Sequence, residues 1–329
     1  MTRFIDAHKV LSVKAISLAL LALVALASPL LADTTADVVS GGLIQTALPW
    51  WGWALLLFTF TVALGVVAVI GGVGGGVLFV PIVAAVFPFH FDFVRGAGLM
   101  VALCGALSAG PILLRKGLAS MRLGWPMALF GSVGSVAGAF LGLSLPTGIV
   151  EGLLGIAIMG IVVLMLLSSR SDFPEIVRSD PLARLLGLRG AYRDESIGRT
   201  VEWRVHRTPL ALAAYLVIGM IGGLFGLGAG WANVPALNLL LGAPLKIAVA
   251  TSGFVMTINS TAATWVYINQ AAILPLIAVP SVAGMMIGTR VGAELLPRVR
   301  APIIRWIVIA LMALAGMRSL VAGILGAFS

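Results

Sequence analysis

Residues 72–81 read GVGGGVLFVP, and residues 226–235 read GLGAGWANVP. The second motif is the first displaced by 154 positions, with Pro81 matched by Pro235. Each glycine cluster opens an apolar segment of only about a dozen residues, too short to cross a hydrocarbon core of about 30 Å at a rise of about 1.5 Å per residue. Glycine permits the φ > 0 backbone that breaks and re-enters a helix, and proline has no N–H to donate to one. The pair predicts two discontinuous helices, beginning near Gly76 and Gly230.

What surrounds the motifs is apolar. Of 329 residues, 60% are hydrophobic and 10% charged, and the mean hydropathy is +1.12. Soluble domains carry about 25% charged residues. No Asp, Glu, Lys or Arg occurs in residues 38–91, 208–245 or 247–289. The chain is an all-α polytopic membrane protein in contact with the lipid bilayer. The net charge of +9 comes from Lys and Arg at the ends of apolar runs, as in cytoplasmic loops, so no nucleic-acid partner is expected. A single cysteine, Cys104, excludes an intramolecular disulfide or a thiolate metal site. No cofactor is expected.

Ten apolar segments fall in two groups of five: residues 50–70, 76–87, 95–114, 123–145 and 148–167, then 209–226, 230–241, 247–268, 273–296 and 301–320. The expected organisation is an N-terminal signal peptide or first span (1–32), a first transmembrane repeat (48–168), a charged connector (169–207) and a second repeat (208–326). The leader combines Arg3, Lys9 and Lys14 with an apolar stretch and a small-x-small site at Ala25-Leu26-Ala27, which suits cleavage or an uncleaved span equally. Residues 168–207 hold eight Arg and six Asp or Glu and read as a solvent-exposed connector with a short helix around 181–188.

Charge orients the repeats. Arg115, Lys116 and Arg122 follow the third segment of the first half, whereas Arg298, Arg300 and Arg305 follow the fourth segment of the second. Under the positive-inside rule, equivalent loops face opposite sides, so the repeats are inverted. That architecture recurs in secondary transporters. Residues 33–48 are then outside, and the 115–122 loop and the connector inside.

A helix N-terminus offers unpaired N–H groups and a positive dipole end, which together suit an anion. The candidate substrate site is therefore Gly74, Gly75 and Gly76 with Gly228, Ala229 and Gly230, completed by the polar Asn233, Thr251, Ser252 and Asn259. Close helix packing is the competing reading of glycine, and it is assigned to Gly134, Gly138 and Gly142 and to their counterparts Gly284, Gly288 and Gly292. His90, Asp92, Arg95 and Lys246 either serve a charge or proton role or snorkel to water at the interface. Arg290 and Glu294, four apart on one helix, read as a structural pair. The histidines His8, His90 and His206 are scattered, and no metal-ligand or nucleophile–base spacing supports an enzyme.

The stretches GGVGGGVLFVPIV (71–83) and GLFGLGAGWANVPALNLLLGAPLKIAVATS (223–252) resemble the sulfite exporter TauE/SafE family, and the likeness runs from about residue 50 to about residue 320. The resemblance implies a bacterial inner-membrane permease whose partner is a small anionic substrate such as sulfite, thiosulfate, sulfoacetate or another sulfonate, moved by export. The central connector is long for that family, and Gly98 stands where the second half has Ser252. A channel or carrier for another small organic anion is the alternative.

Overall fold

The computed structural model describes residues 49–71, 74–87, 89–115, 119–167, 179–194, 199–295 and 301–327. The leader therefore lies outside the described residues, as do Lys116, Arg298 and Arg300. Within a bilayer every backbone N–H and C=O must be paired inside the chain, and all ten apolar segments are helical. The first group gives α1 (Trp50–Gly71), α2 (Gly75–Val86), α3 (Phe91–Arg115), α4 (Met121–Ser144) and α5 (Thr147–Leu167). The connector holds α6 (Pro181–Leu185), β1 (Arg189–Asp194) and β2 (Arg199–Arg204). The second group gives α7 (Thr208–Phe225), α8 (Gly230–Pro235) running into a π turn (Ala236–Leu240), α9 (Leu245–Asn269), α10 (Pro275–Leu295) and α11 (Ala301–Ala327).

Among the described residues, six helices are long and apolar enough to cross a membrane: the spans lie in α1, α3, α4, α5, α7 and α10. Helix α9 is not among them despite its 25 residues, because its polar run from Thr251 to Thr264 dilutes the apolar content. The protein is a multi-pass helical membrane protein.

The packing pairs each element with a counterpart from the other group. Helix α1 lies along α10, α4 along α7, α3 against α9, α5 against α11, and the short helices α2 and α8 touch. Glycine sets the closeness of two of these seams. A Cβ at Gly134, Gly138 or Gly142 would strike the carbonyl oxygens of Leu216, Met220 and Leu224 on α7. On the other side, a Cβ at Gly284 or Gly288 would strike the carbonyl oxygens of Phe58 and Val62 on α1, and one at Gly292 would lie 3.0 Å from Val66 Cα. Both sets are packing glycines, as expected of small residues at membrane helix contacts. Ser135 adds a hydrogen bond to the Gly219 carbonyl oxygen (3.1 Å) across the α4–α7 seam.

The connector is exposed along much of its described length, as expected, but one face of it is docked. Its strands pair antiparallel, Arg189 opposite Arg204 and Tyr192 opposite Val201. Alternation puts Tyr192 and Trp203 on one face, buried in a cluster with Val205, Leu237, Leu241 and Ala243. Asp180 caps α6 by accepting from Ala183 N (3.4 Å) and also accepts from Thr208 Oγ1 at the start of α7 (2.9 Å). The His206 N–H donates to the Leu241 carbonyl (3.1 Å). The hairpin has no core of its own and shares that of the second group.

Candidate functional site

The two breaks share one backbone feature. Gly74 and Gly228, equivalent under the 154-residue displacement, both have positive φ, +85° and +66°. That region is costly for any residue with a Cβ. The breaks also touch one another. A Cβ on Gly74 would lie 3.6 Å from the Gly230 Cα and 3.5 Å from Met256 Sδ, and one on Gly76 would lie 2.5 Å from the Leu227 carbonyl oxygen. Gly76 is thus a close-packing position as much as a helix entry. Among the described residues, none accepts from the backbone N–H of Leu227, Gly228, Ala229 or Gly230.

Beyond Pro235 the second short helix loosens into its π turn, closed by Leu241 N–H donating to the Ala236 carbonyl (3.1 Å). Proline's missing N–H permits the slip but does not dictate it, since Pro81 at the equivalent position leaves the first short helix regular; such turns recur at functional sites. The first short helix keeps α geometry for its 12 residues, with Pro81 inside.

The predicted polar residues divide into engaged and free. Thr251 Oγ1 accepts from Ser120 N (3.1 Å), fastening α9 to the start of α4. Ser252 Oγ donates to the Val249 carbonyl of its own helix (2.8 Å). Asn233 donates to the Ser252 carbonyl (3.4 Å), leaving its Oδ1 without a partner. Asn259 is 1% exposed with neither amide atom bonded, and it packs against Gly131 of α4. Ser260, Thr264 and the Trp231 indole N–H are also buried without partners. Ser260 and Thr264 belong to the polar run seen in the sequence, but nothing there separates them from Thr257 or Thr261. Only the helix contacts do.

The charged residues divide as well. Lys246 is exposed in the first turn of α9, while Tyr267 near the far end of the same helix meets Arg95. Arg95 does not snorkel. It stands inside α3 rather than at its start, and it is 1% exposed. Asp92 binds its Nη2, and its Nη1 donates to the Leu224 carbonyl (2.9 Å). The rings of Phe91 and Tyr267 flank the guanidinium at 5.0 and 5.9 Å. Tyr267 donates to the Gly223 and Leu224 carbonyls at 3.1 and 3.3 Å, and a Cβ on Gly226 would strike the Arg95 backbone. A buried ion needs such pairing, and here it secures the turn before the second break. His90, 58% exposed at its side chain, lies 3.6 Å from Asp92. Half-buried Glu151 of α5 is within electrostatic reach of His90, Asp92 and Arg95. Arg290 and Glu294 are both exposed, and the ion pairs found among the described residues are those of Asp92 rather than theirs.

Broken helices meeting inside a bundle of apolar spans, with unpaired donors beside them, define a membrane transporter rather than a soluble binding module. The profile of the sulfite exporter TauE/SafE family matches residues 56–319, and the chain belongs to that family. It is similar to a probable membrane transporter protein, YunE, of Bacillus subtilis (strain 168), at 25% identity over 279 residues that cover 81% of this chain and 98% of that protein. No solved structure matches it significantly.

Proposed function

We propose that this transporter moves small sulfur-containing anions such as sulfite, thiosulfate or sulfonates across a bacterial inner membrane, in the direction of export. The substrate sits where the two breaks meet, held by backbone N–H groups of Gly228, Ala229 and Gly230 and by side chains of α9, with Gly74, Gly75 and Gly76 closing the other side. The observation that carries the reading is the contact of Gly74 with Gly230 and Met256. Two irregular stretches of backbone meet in the interior, and irregular backbone at membrane depth is tolerated where protein buries it or where it lines a cavity. The two groups act as inverted repeats. The reciprocal pairing of α1 with α10 and α4 with α7 supports this, as do Pro126 and Pro280, inside α4 and α10 and again 154 residues apart.

Flux of radiolabelled sulfite, thiosulfate and sulfoacetate into proteoliposomes tests the function directly. Saturable flux of at least one is expected, and flux confined to carboxylates would contradict the substrate class. Cysteines at Ser120 and Ser196 should resist impermeant reagents applied to the periplasmic face. Labelling of either would overturn the inverted arrangement.

A further inference from the structure

Helix α9 carries hydroxyl groups that behave in two ways. Thr257 donates to the Gly253 carbonyl (2.9 Å) and Thr261 to the Thr257 carbonyl (2.8 Å). This back-bonding four residues along is how a Ser or Thr satisfies itself in an apolar helix, and Thr59 and Thr61 of α1 do the same. Ser260 and Thr264, 1% and 6% exposed, do not. They stand i,i+4, on one face of the helix, one turn beyond Met256. The Ser260 hydroxyl lies 3.3 Å from where a Cβ of Gly228 would be, and Ala102 borders the same point at 3.0 Å. Asn259, next in sequence, also has a wholly unpaired amide. A hydroxyl or amide left unbonded in a dry interior is unfavourable, and back-bonding was available to both hydroxyls at no change of sequence.

We infer that Ser260 and Thr264, with the Asn259 amide, form the specificity wall of the transport site, and that they bind a small monoanionic oxyanion through neutral donors. The inference rests on the proposed transport of anions and adds the residues and the charge state. No charged side chain is among these groups. The desolvation cost of an ion rises with the square of its charge, so donors of this kind favour an anion such as bisulfite or an alkylsulfonate over sulfate. The facing stretch of α3 is apolar: Ala102 and Ala106 form one buried cluster with Met256, which lies one turn before Ser260 on α9. Ala106 holds the position equivalent to Ser260, so this hydroxyl has no counterpart at that position in the first half.

The test uses the full-length protein in detergent, with bisulfite, methanesulfonate and sulfate as probes of thermal stabilisation. Ser260→Ala and Thr264→Val should each weaken monoanion binding about ten- to a hundredfold, the worth of a hydrogen bond to a charged group. Sulfate should stabilise wild type least. A Ser260→Ala/Thr264→Val protein that folds and keeps wild-type affinity overturns the inference. If wild type responds to none of the probes, the anion reading itself is at fault, and labelling then decides the wall. Ser260→Cys in a Cys104→Ser background should react with a small anionic methanethiosulfonate, as a residue lining the transport path must. A folded Ser260→Cys variant that stays unreactive makes the hydroxyls dry packing.

Discussion

The turns at Gly74 and Gly228 both have positive φ and both border Met256, but their other neighbours differ. A side chain at Gly74 or Gly75 would meet the thioethers of Met256 and Met285, whereas one at Gly228 would meet Ala102 and the hydroxyl of Ser260 ahead of Met256. The first short helix runs undisturbed to Val86. The second slips into a π turn and is held at its far end by the connector hairpin through His206 and Leu241. The buried charge is divided unequally too: Arg95 belongs to the first half and supports the second half's break. The unpartnered donors nearest the breaks lie in the second half, on α8 and α9, and the buried ion pair lies in the first, on α3.

The largest expected effect tests the scaffold that both halves share. Gly138→Val would drive a side chain into the Met220 carbonyl, and overpacking at backbone costs about 3 kcal/mol or more. Loss of the monodisperse folded protein is expected on gel filtration. Gly253 has nothing within 4 Å of its missing Cβ, so Gly253→Ala should be neutral or more stable by up to about 1 kcal/mol. Equal behaviour of the two would show that the seams are looser than described.

The connector offers a break in the comparison that only the second half can show. Trp203→Ala removes a buried ring from the face that covers Leu237 and Leu241, at a cost of about 3 kcal/mol. Proteolysis in the connector should accelerate while the first half stays protected. Unchanged cleavage would mean the hairpin is not docked. Asp92→Asn probes the first half's charge: it strips the buried Arg95 of its anionic partner, and about 3 kcal/mol is expected, low in the range because Asp92 is 28% exposed at its side chain. A melting temperature equal to wild type would assign that stabilisation to the Leu224 carbonyl and the flanking rings.

Most of the fold is legible in the sequence. Ten charge-poor segments and the repeated glycine motif fix the helices, the breaks and the packing glycines, because in lipid the backbone has few alternatives. The site is legible only in part. Thr251, Ser252, Asn259 and Ser260 look alike as letters, and what separates them is whether a carbonyl or an N–H stands within reach, which depends on how α9 is rotated against α4 and α3. Arg95 misleads because a lone Arg near a segment end usually snorkels, and its partners Leu224 and Tyr267 are more than a hundred positions away. The hairpin is hidden because charges dominate residues 189–204 and mask the alternation of Tyr192, Val201 and Trp203.

The smallest effect sharpens the division between engaged and free groups. Ser252→Ala loses a bond only to its own helix and should change stability and anion affinity by no more than about 0.5 kcal/mol. Asn233→Ala removes the link between the second short helix and α9, worth about 1 kcal/mol. A larger loss of affinity for Ser252→Ala than for Asn233→Ala would move the site two turns along α9.

The claim that the anion is held between the two breaks is tested most directly by locating one. Selenite has the shape of sulfite and carries an anomalous scatterer, so crystals of the protein soaked in selenite report its position without reference to activity. The account predicts a selenium peak within about 4 Å of Gly228 and Ser260, the distance at which an oxyanion's oxygens reach donors, and its loss in Ser260→Ala/Thr264→Val. A peak at Lys246 or at the connector arginines, with none between Gly74 and Gly230 while selenite is still transported, would contradict it.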